Sequence, residues 1–169
     1  MEVSFFGSGP VADRCLDVLR KLDIRVKDHA DLWLCVHHKE IFKASPPGGI
    51  LNLHNSYLPW GRGANPCTWA IIDQTPHGAT LHWVDQGIDT GPIFHQEALE
   101  IRPGETADEL YRRTMDLEVE VFRTGIIRYT NGDRTRVPQP IGGTFHRKND
   151  FDRLVRAMTT SDCKVKREA

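Results

Sequence analysis

The sequence predicts an α/β fold, one mainly parallel sheet flanked by helices, within a single domain. Three observations predict it. Short apolar runs alternate with stretches of helical spacing from Val3 to Asn52, the pattern of strands joined by crossovers. A long amphipathic stretch after Thr106 opens on a Thr-x-x-Glu box, a helix start signal. A length of 169 residues with 39% hydrophobic and 27% charged side chains suits one ordinary core and leaves no room for a second large domain. The expected unit is therefore residues 1–169 as one domain, with 138–169 as a C-terminal extension.

The elements follow in chain order. Val3-Ser4-Phe5-Phe6 predicts a buried strand, and Gly7-Ser8-Gly9-Pro10 a turn with proline at the first helical position. Val11, Cys15, Val18, Leu19 and Leu22 recur at helical spacing. Ile24 to Val26 and Leu32 to Val36 predict short strands, about Glu40 to Ala44 a short helix, and Gly49-Ile50-Leu51 a strand leading to Asn52. The segment NSYLPWGRGANP is rich in turn formers and predicts a loop. Gly78 to Val84 and Pro92 to Ala98 predict two strands flanking the loop VDQGIDTG. Leu110, Leu117, Val121 and Phe122 give the long helix its apolar stripe, and Asn131-Gly132 should end it. Beyond Pro138-Gln139-Pro140 a short helix is expected near Asp152 to Met158, then a basic tail.

A net charge of -1 and a pI near 6.7 give no global reason to expect nucleic-acid or membrane partners. Cys15, Cys35, Cys67 and Cys163 are widely spaced without a CxxC pair, so they read as free thiols in a reducing cytoplasm. No apolar run approaches a membrane span, and no signal-peptide pattern follows Met1.

Chemistry gathers at the carboxyl ends of strands in a parallel sheet. Asn52 and His54 sit at such an end, and as alternate residues they should face the same way. Asp89 in GIDTG is bracketed by glycines that permit a tight path presenting a carboxylate. Each has a bland reading when taken alone: a turn asparagine, a packed histidine and a turn aspartate. His37, His38, His54 and His82 are numerous but lack metal-ligand spacing, and no metal is expected.

Together NLHNSYLP, Arg62-Gly63 and GATLHWVDQGIDTGPI resemble the folate-dependent formyltransferases, from about Asp31 to the long helix. The chain looks most like the members that formylate an amine on a nucleotide-linked sugar, and the formylation domain of linear-peptide synthetases is similar too. The resemblance implies a shortened Rossmann-like formyltransferase fold, 10-formyltetrahydrofolate as co-substrate and a small-molecule amine as acceptor. It carries the family's catalytic residues onto Asn52, His54 and Asp89, and implies folate contacts at Ile41, Leu58, Arg62, His82 and Asp85. The implied chemistry is attack of a neutral amine on the formyl carbon. Asn52 would stabilise the oxyanion, His54 would donate to it or relay a proton, and Asp89 would orient His54 and receive the amine proton. For His82 a structural and a catalytic role are both open, and Trp60, Trp69 and Trp83 suit either a wall or stacking on a ring. Nothing after Gly132 has the length of the tRNA-holding domain of methionyl-tRNA formyltransferases, and homodimerisation through a sheet edge is expected instead.

The chain departs from that family in two ways. Only 51 residues precede Asn52, fewer than is usual there, so a strand-helix unit is expected to be missing between IRVKDHA and DLWLCVHH. His37-His38-Lys39-Glu40-Ile41 stands where the family has a tyrosine-glycine-like segment, implying an altered folate pocket. A formyltetrahydrofolate hydrolase or a noncatalytic folate or nucleotide module would share the same motifs. A separate signal, Gly7-x-Gly9-x-x-Ala12 with Asp28 downstream, fits a dinucleotide fingerprint, but too little chain remains for the rest of such an enzyme. Adding NAD is accordingly expected to leave the thermal unfolding midpoint unchanged in a dye-binding melt, and a rise would favour the dinucleotide reading.

Overall fold

The computed structural model describes residues 1–38, 42 and 44–165, with side chains through Ala157. Strand β1 (Glu2–Gly7) leads into helix α1 (Pro10–Lys21), and β2 (Arg25–Val26), β3 (Trp33–Val36) and β4 (Ile50–His54) follow. Next come β5 (Arg62–Gly63), α2 (Pro66–Asp73), β6 (Gly78–Trp83) and β7 (Ile93–Ala98). Helix α3 (Ala107–Thr130), β8 (Phe145–His146) and α4 (Lys148–Val165) complete the chain. The main sheet has the order β2-β1-β3-β4-β6-β7. It is parallel from β2 to β4, and the pairings of β4 with β6 and of β6 with β7 are antiparallel.

The short route from β2 to β3 has a geometric cause. Parallel neighbours ordinarily need a long crossover to return the chain to the starting edge. Here β2 pairs only with the first residues of β1, Glu2 with Arg25 and Val3 with Val26. The chain is therefore still near the beginning of β1 when it turns toward β3. Ser4, buried inside β1, fixes this passage: its hydroxyl donates to the Lys27 carbonyl at 2.7 Å and accepts the Ala30 N–H at 3.0 Å.

Helices α1 and α3 cover the sheet with one apolar core. Val11, Cys15 and Leu19 of α1 meet Val121, Phe122 and Ile126 of α3 and the strand residues Leu34, Leu51, Leu53 and Leu81 in a single buried cluster that also holds Phe94. Full burial of each such large aliphatic side chain is worth about 1.5–3 kcal/mol against exposure. At Gly125 of α3 a Cβ would run into the Leu81 side chain, so the absence of a side chain lets the helix lie close on β6. The helix also carries a fully buried acid, Glu118, whose Oε1 accepts from His37 Nε2 at 2.7 Å. That hydrogen bond raises the His37 pKa against the opposing effect of burial.

Several expectations change. Strand β4 runs on through Asn52 to His54 instead of stopping at Asn52, because its backbone keeps a partner on either side, β3 and β6. Helix α2 was not anticipated: PCTWAIID is apolar on nearly every face and offers no helical period to read. The loop after His54 contains β5, which pairs in parallel with β8. Helix α4 is longer than the stretch expected near Asp152 to Met158, whereas the helix expected about Glu40 to Ala44 falls mainly outside the described residues. Among the described residues no helix is long and apolar enough to cross a membrane.

The Thr106 capping box is fully formed, with the Thr106 hydroxyl accepting the Glu109 N–H and the Glu109 carboxylate accepting the Thr106 N–H. Replacing Thr106 by Ala should lower stability by about 1 kcal/mol in urea unfolding. A loss near zero would mean that the cap does not hold this helix.

Candidate active site

Asn52 and His54 leave β4 on one face while Leu51 and Leu53 fill the core on the other. The antiparallel register with β6 sets Asn52 opposite His82 and His54 opposite Thr80. The Nδ1–H of His82 donates to the Trp83 carbonyl at 2.9 Å, which leaves Nε2 to accept from the Asn52 amide at 3.1 Å. His54 is buried, and its Nε2–H donates to the Gly61 carbonyl at 2.9 Å.

Asp89 reaches this pair from the loop between β6 and β7. Its Oδ1 lies 3.5 Å from His82 Nε2 and its Oδ2 lies 3.7 Å from His54 Nε2. The Gly63 N–H donates to Oδ2 at 2.9 Å. The direct hydrogen bond of the His54 ring is thus made to the Gly61 carbonyl, and Asp89 acts on both rings as a nearby charge. Burial alone would raise the Asp89 pKa, but the charge of His54 and the Gly63 N–H outweigh it and hold the carboxyl well below the usual range.

The loop owes its path to local contacts. Asp85 Oδ1 accepts the Gly87 N–H at 3.0 Å and the Thr90 hydroxyl at 2.7 Å. Asp89 itself adopts φ 54°, a conformation that aspartate tolerates better than most residues. At Gly91 a Cβ would collide with the Trp83 carbonyl oxygen, so the loop can return beside β6 only with glycine there.

The segment after His54 is held from two sides. On the sheet side, the Thr80 hydroxyl donates to the Ser56 carbonyl at 2.7 Å and accepts the Leu58 N–H at 3.2 Å. On the other side, Thr144 takes the Gly61 N–H on its hydroxyl at 2.8 Å and the Arg62 N–H on its carbonyl at 3.0 Å. His146 stacks on Trp69 at 3.8 Å and contacts Asp73 Oδ2 at 2.8 Å. The part of the chain around 144–146 therefore braces the loop that follows His54.

Of the residues expected at the site, the fold brings Asn52, His54, His82 and Asp89 together. Leu58 is fully buried beside them. The Arg62 guanidinium is engaged by Gln139, and the Asp85 carboxylate is engaged within its own loop. Ile41 lies outside the described residues. Trp83 belongs to the core, with its indole N–H on the Thr135 carbonyl at 2.8 Å. The Gly7 turn has a packing reason as well, since a Cβ there would meet the Val36 carbonyl. Among the described residues no group of His, Cys, Asp and Glu is arranged to hold a metal ion.

Sequence reasoning passed over His77, a buried residue just before β6. Its Nε2 pairs with the Thr114 hydroxyl at 2.9 Å, and burial together with the His54 charge pushes its pKa down to about 4. It ties β6 to α3 as a neutral ring. Gly61 and Gly63, in the segment that the sequence predicts as a loop, supply a carbonyl and an N–H to the central groups. No signal in a single sequence distinguishes such backbone roles.

A family model described as Formyl transferase matches residues 29–126. The dTDP-4-amino-4,6-dideoxyglucose formyltransferase of Mycobacterium tuberculosis H37Rv is 31% identical over 152 residues, 89% of this chain and 64% of that protein. The methionyl-tRNA formyltransferase of Myxococcus xanthus is 40% identical over 99 residues, 58% of this chain and 32% of that protein. The chain thus spans 32% to 64% of the length of these curated relatives. Among solved structures, the formyltransferase PseJ from Anoxybacillus kamchatkensis, in complex with UDP-4,6-dideoxy-4-formamido-L-AltNAc and tetrahydrofolate, superposes with a TM-score of 0.80 at 24% identity. The match covers 92% of this chain and 90% of that one, a likeness of fold over nearly the whole of both.

Because its folded pKa is depressed, the stability that the Asp89 carboxylate contributes is present above the unfolded value, near 3.8, and is lost only as pH falls through the lower folded value. The Asp89 carboxyl carbon should accordingly show no protonation step in an NMR titration down to pH 3.8. A midpoint above that pH would contradict the charge arrangement described for the two histidines.

Proposed function

This chain belongs to the formyl transferase family, and from that premise we propose that it transfers the formyl group of 10-formyltetrahydrofolate to a primary amine carried by a nucleotide-linked sugar. The observation that carries the proposal is the convergence of Asn52, His54 and Asp89 at the end of β4. The acceptor class is supported by the relative that acts on dTDP-4-amino-4,6-dideoxyglucose and by the complex of PseJ with a formamido nucleotide sugar.

The residue types fit the donor's reactive end. One Asn52 amide hydrogen is used on His82, and we assign the other to the formyl oxygen, where negative charge develops as the amine adds. Such a preorganised donor is typically worth about 3 kcal/mol to the transition state. Because His82 fixes the Asn52 amide before substrate arrives, little reorganisation is required during reaction. His54 is assigned to protonating the folate nitrogen as its bond to the formyl carbon breaks. Asp89, ionised across the neutral range, is a weak base. Its role is to stabilise the positive charge that forms on the attacking nitrogen and to pass that proton onward, directly or through water.

The folate is proposed to lie against Leu58 and His82. We assign Arg62 and Asp85 to shaping the wall, since their side chains are already engaged within the protein. The proposed setting is the cytoplasm, and the proposed assembly is a homodimer, supported by the exposed edge at β2, where Val26 is 48% exposed.

The test is tetrahydrofolate formation from 10-formyltetrahydrofolate, with and without nucleotide-linked amino sugars. An amine-dependent rate is expected, falling by about 10²- to 10³-fold in Asn52→Ala and losing most turnover in a folded Asp89→Asn. Formate release that needs no amine would replace the transferase with a hydrolase. Folate binding without either reaction would reduce the protein to a binding module.

A further inference from the structure

Pro138-Gln139-Pro140 lies outside every strand and helix, yet Gln139 has the most connected polar side chain near the site. Its Nε2 donates to the carbonyls of Asp89 and Gly91, each at 2.8 Å. Its Oε1 accepts from Arg62 Nε at 3.0 Å and from the same guanidinium's Nη2 at 2.7 Å. One amide thus uses both of its donors on the loop after β6 and both of its acceptor positions on β5.

These bonds close a circuit. Arg62 is followed by Gly63, whose N–H donates to Asp89 Oδ2 at 2.9 Å. The path runs from the Asp89 backbone through Gln139 to Arg62, along the chain to Gly63, and back to the Asp89 carboxylate. Asp89 is therefore held at both ends, at its carbonyl by Gln139 and at its carboxylate by Gly63. Neither tie alone would fix the carboxylate, because rotation about the Asp89 side chain would remain with the first and movement of the loop with the second.

The glutamine is itself fixed before it makes these contacts. Val137 and Ile93 exchange backbone hydrogen bonds of 2.8 and 2.9 Å on one side. On the other side, Thr144 holds Gly61 and Arg62. The flanking prolines restrict the backbone between these anchors. Apolar packing does not explain the segment, since Val137 and Ile141 are exposed. Its attachment to the protein is polar and directed at the two loops that meet at Asp89.

We propose that Gln139 is a positioning residue for Asp89, a clamp that sets the carboxylate against His54 and His82 without touching substrate. The inference rests on the reading of Asp89 as part of the formyl-transfer site. Glutamate at this position would keep an acceptor for Arg62 but would replace two N–H donors with an oxygen facing two carbonyls. The Arg62 tie would survive, and the loop tie would become repulsive.

Gln139→Glu is tested by local hydrogen exchange and by steady-state kinetics. Exchange at Gly63 and across residues 85–91 should accelerate while β1 and α1 keep the parent rates. The kcat should fall by about 10- to 100-fold while KM for the formyl donor stays within roughly threefold, the pattern of a misplaced catalytic group with substrate binding preserved. Parent-like exchange at Gly63, or an unchanged kcat, would overturn the clamp. If Gln139→Glu does not fold, Gln139→Met, uncharged and similar in length, carries the same two measurements. A parent protein without amine-dependent transfer would remove the functional reading, whereas the exchange measurement would still decide whether Gln139 holds the loop.

Discussion

The pairing of Asn52 with His82 across β4 and β6 is the constraint on which the site depends. It lies where the sheet changes from parallel to antiparallel, so β4 is bonded to β3 on one edge and to β6 on the other. A slip of one residue in β4 would turn Asn52 and His54 into the core and bring Leu51 and Leu53 out of it. Both leucines are almost completely buried, so such a slip would forfeit several kcal/mol of apolar burial. The force that specifies the register is hydrophobic, and the polar geometry on the opposite face follows from it.

That geometry then places a charge where burial alone would suppress it. Asp89 stays ionised because the charge of His54 and the Gly63 N–H face it. His77, a short distance along β6's approach, receives no comparable partner and stays neutral. The contrast follows from partners: Asp89 meets groups that favour its charged form, whereas His77 meets a hydroxyl, apolar surroundings and the charge of His54. Partners therefore decide between an ionised acid at one position and a neutral ring at the other.

Much of this architecture was legible from the chain because it depends on local patterns. Strand runs, the Pro10 helix start and the Thr106 box each specify a neighbourhood of a few residues. Asn52 and His54 could be assigned to one face from their spacing alone. The proximity of His54 to Asp89 could not be derived that way, since it depends on the β4–β6 register and on a loop turning back beside Trp83. Helix α2 escaped notice because it is apolar on too many faces. Gln139 was less visible still: its partners lie 48 to 77 positions away in the chain, and no short-range pattern encodes them.

The short connection before β3 lies away from this end of the sheet. Residues 27–32 cross beside the beginning of β1, where Ser4 secures them. The Asn52, His54 and Asp89 constellation lies at the opposite end of β4, and its supports come from β6 and from the segment containing Thr144 and Gln139. None of those bonds passes through the short β2–β3 connection. The alignment of these groups depends on the later half of the chain folding back over the loop that follows β4.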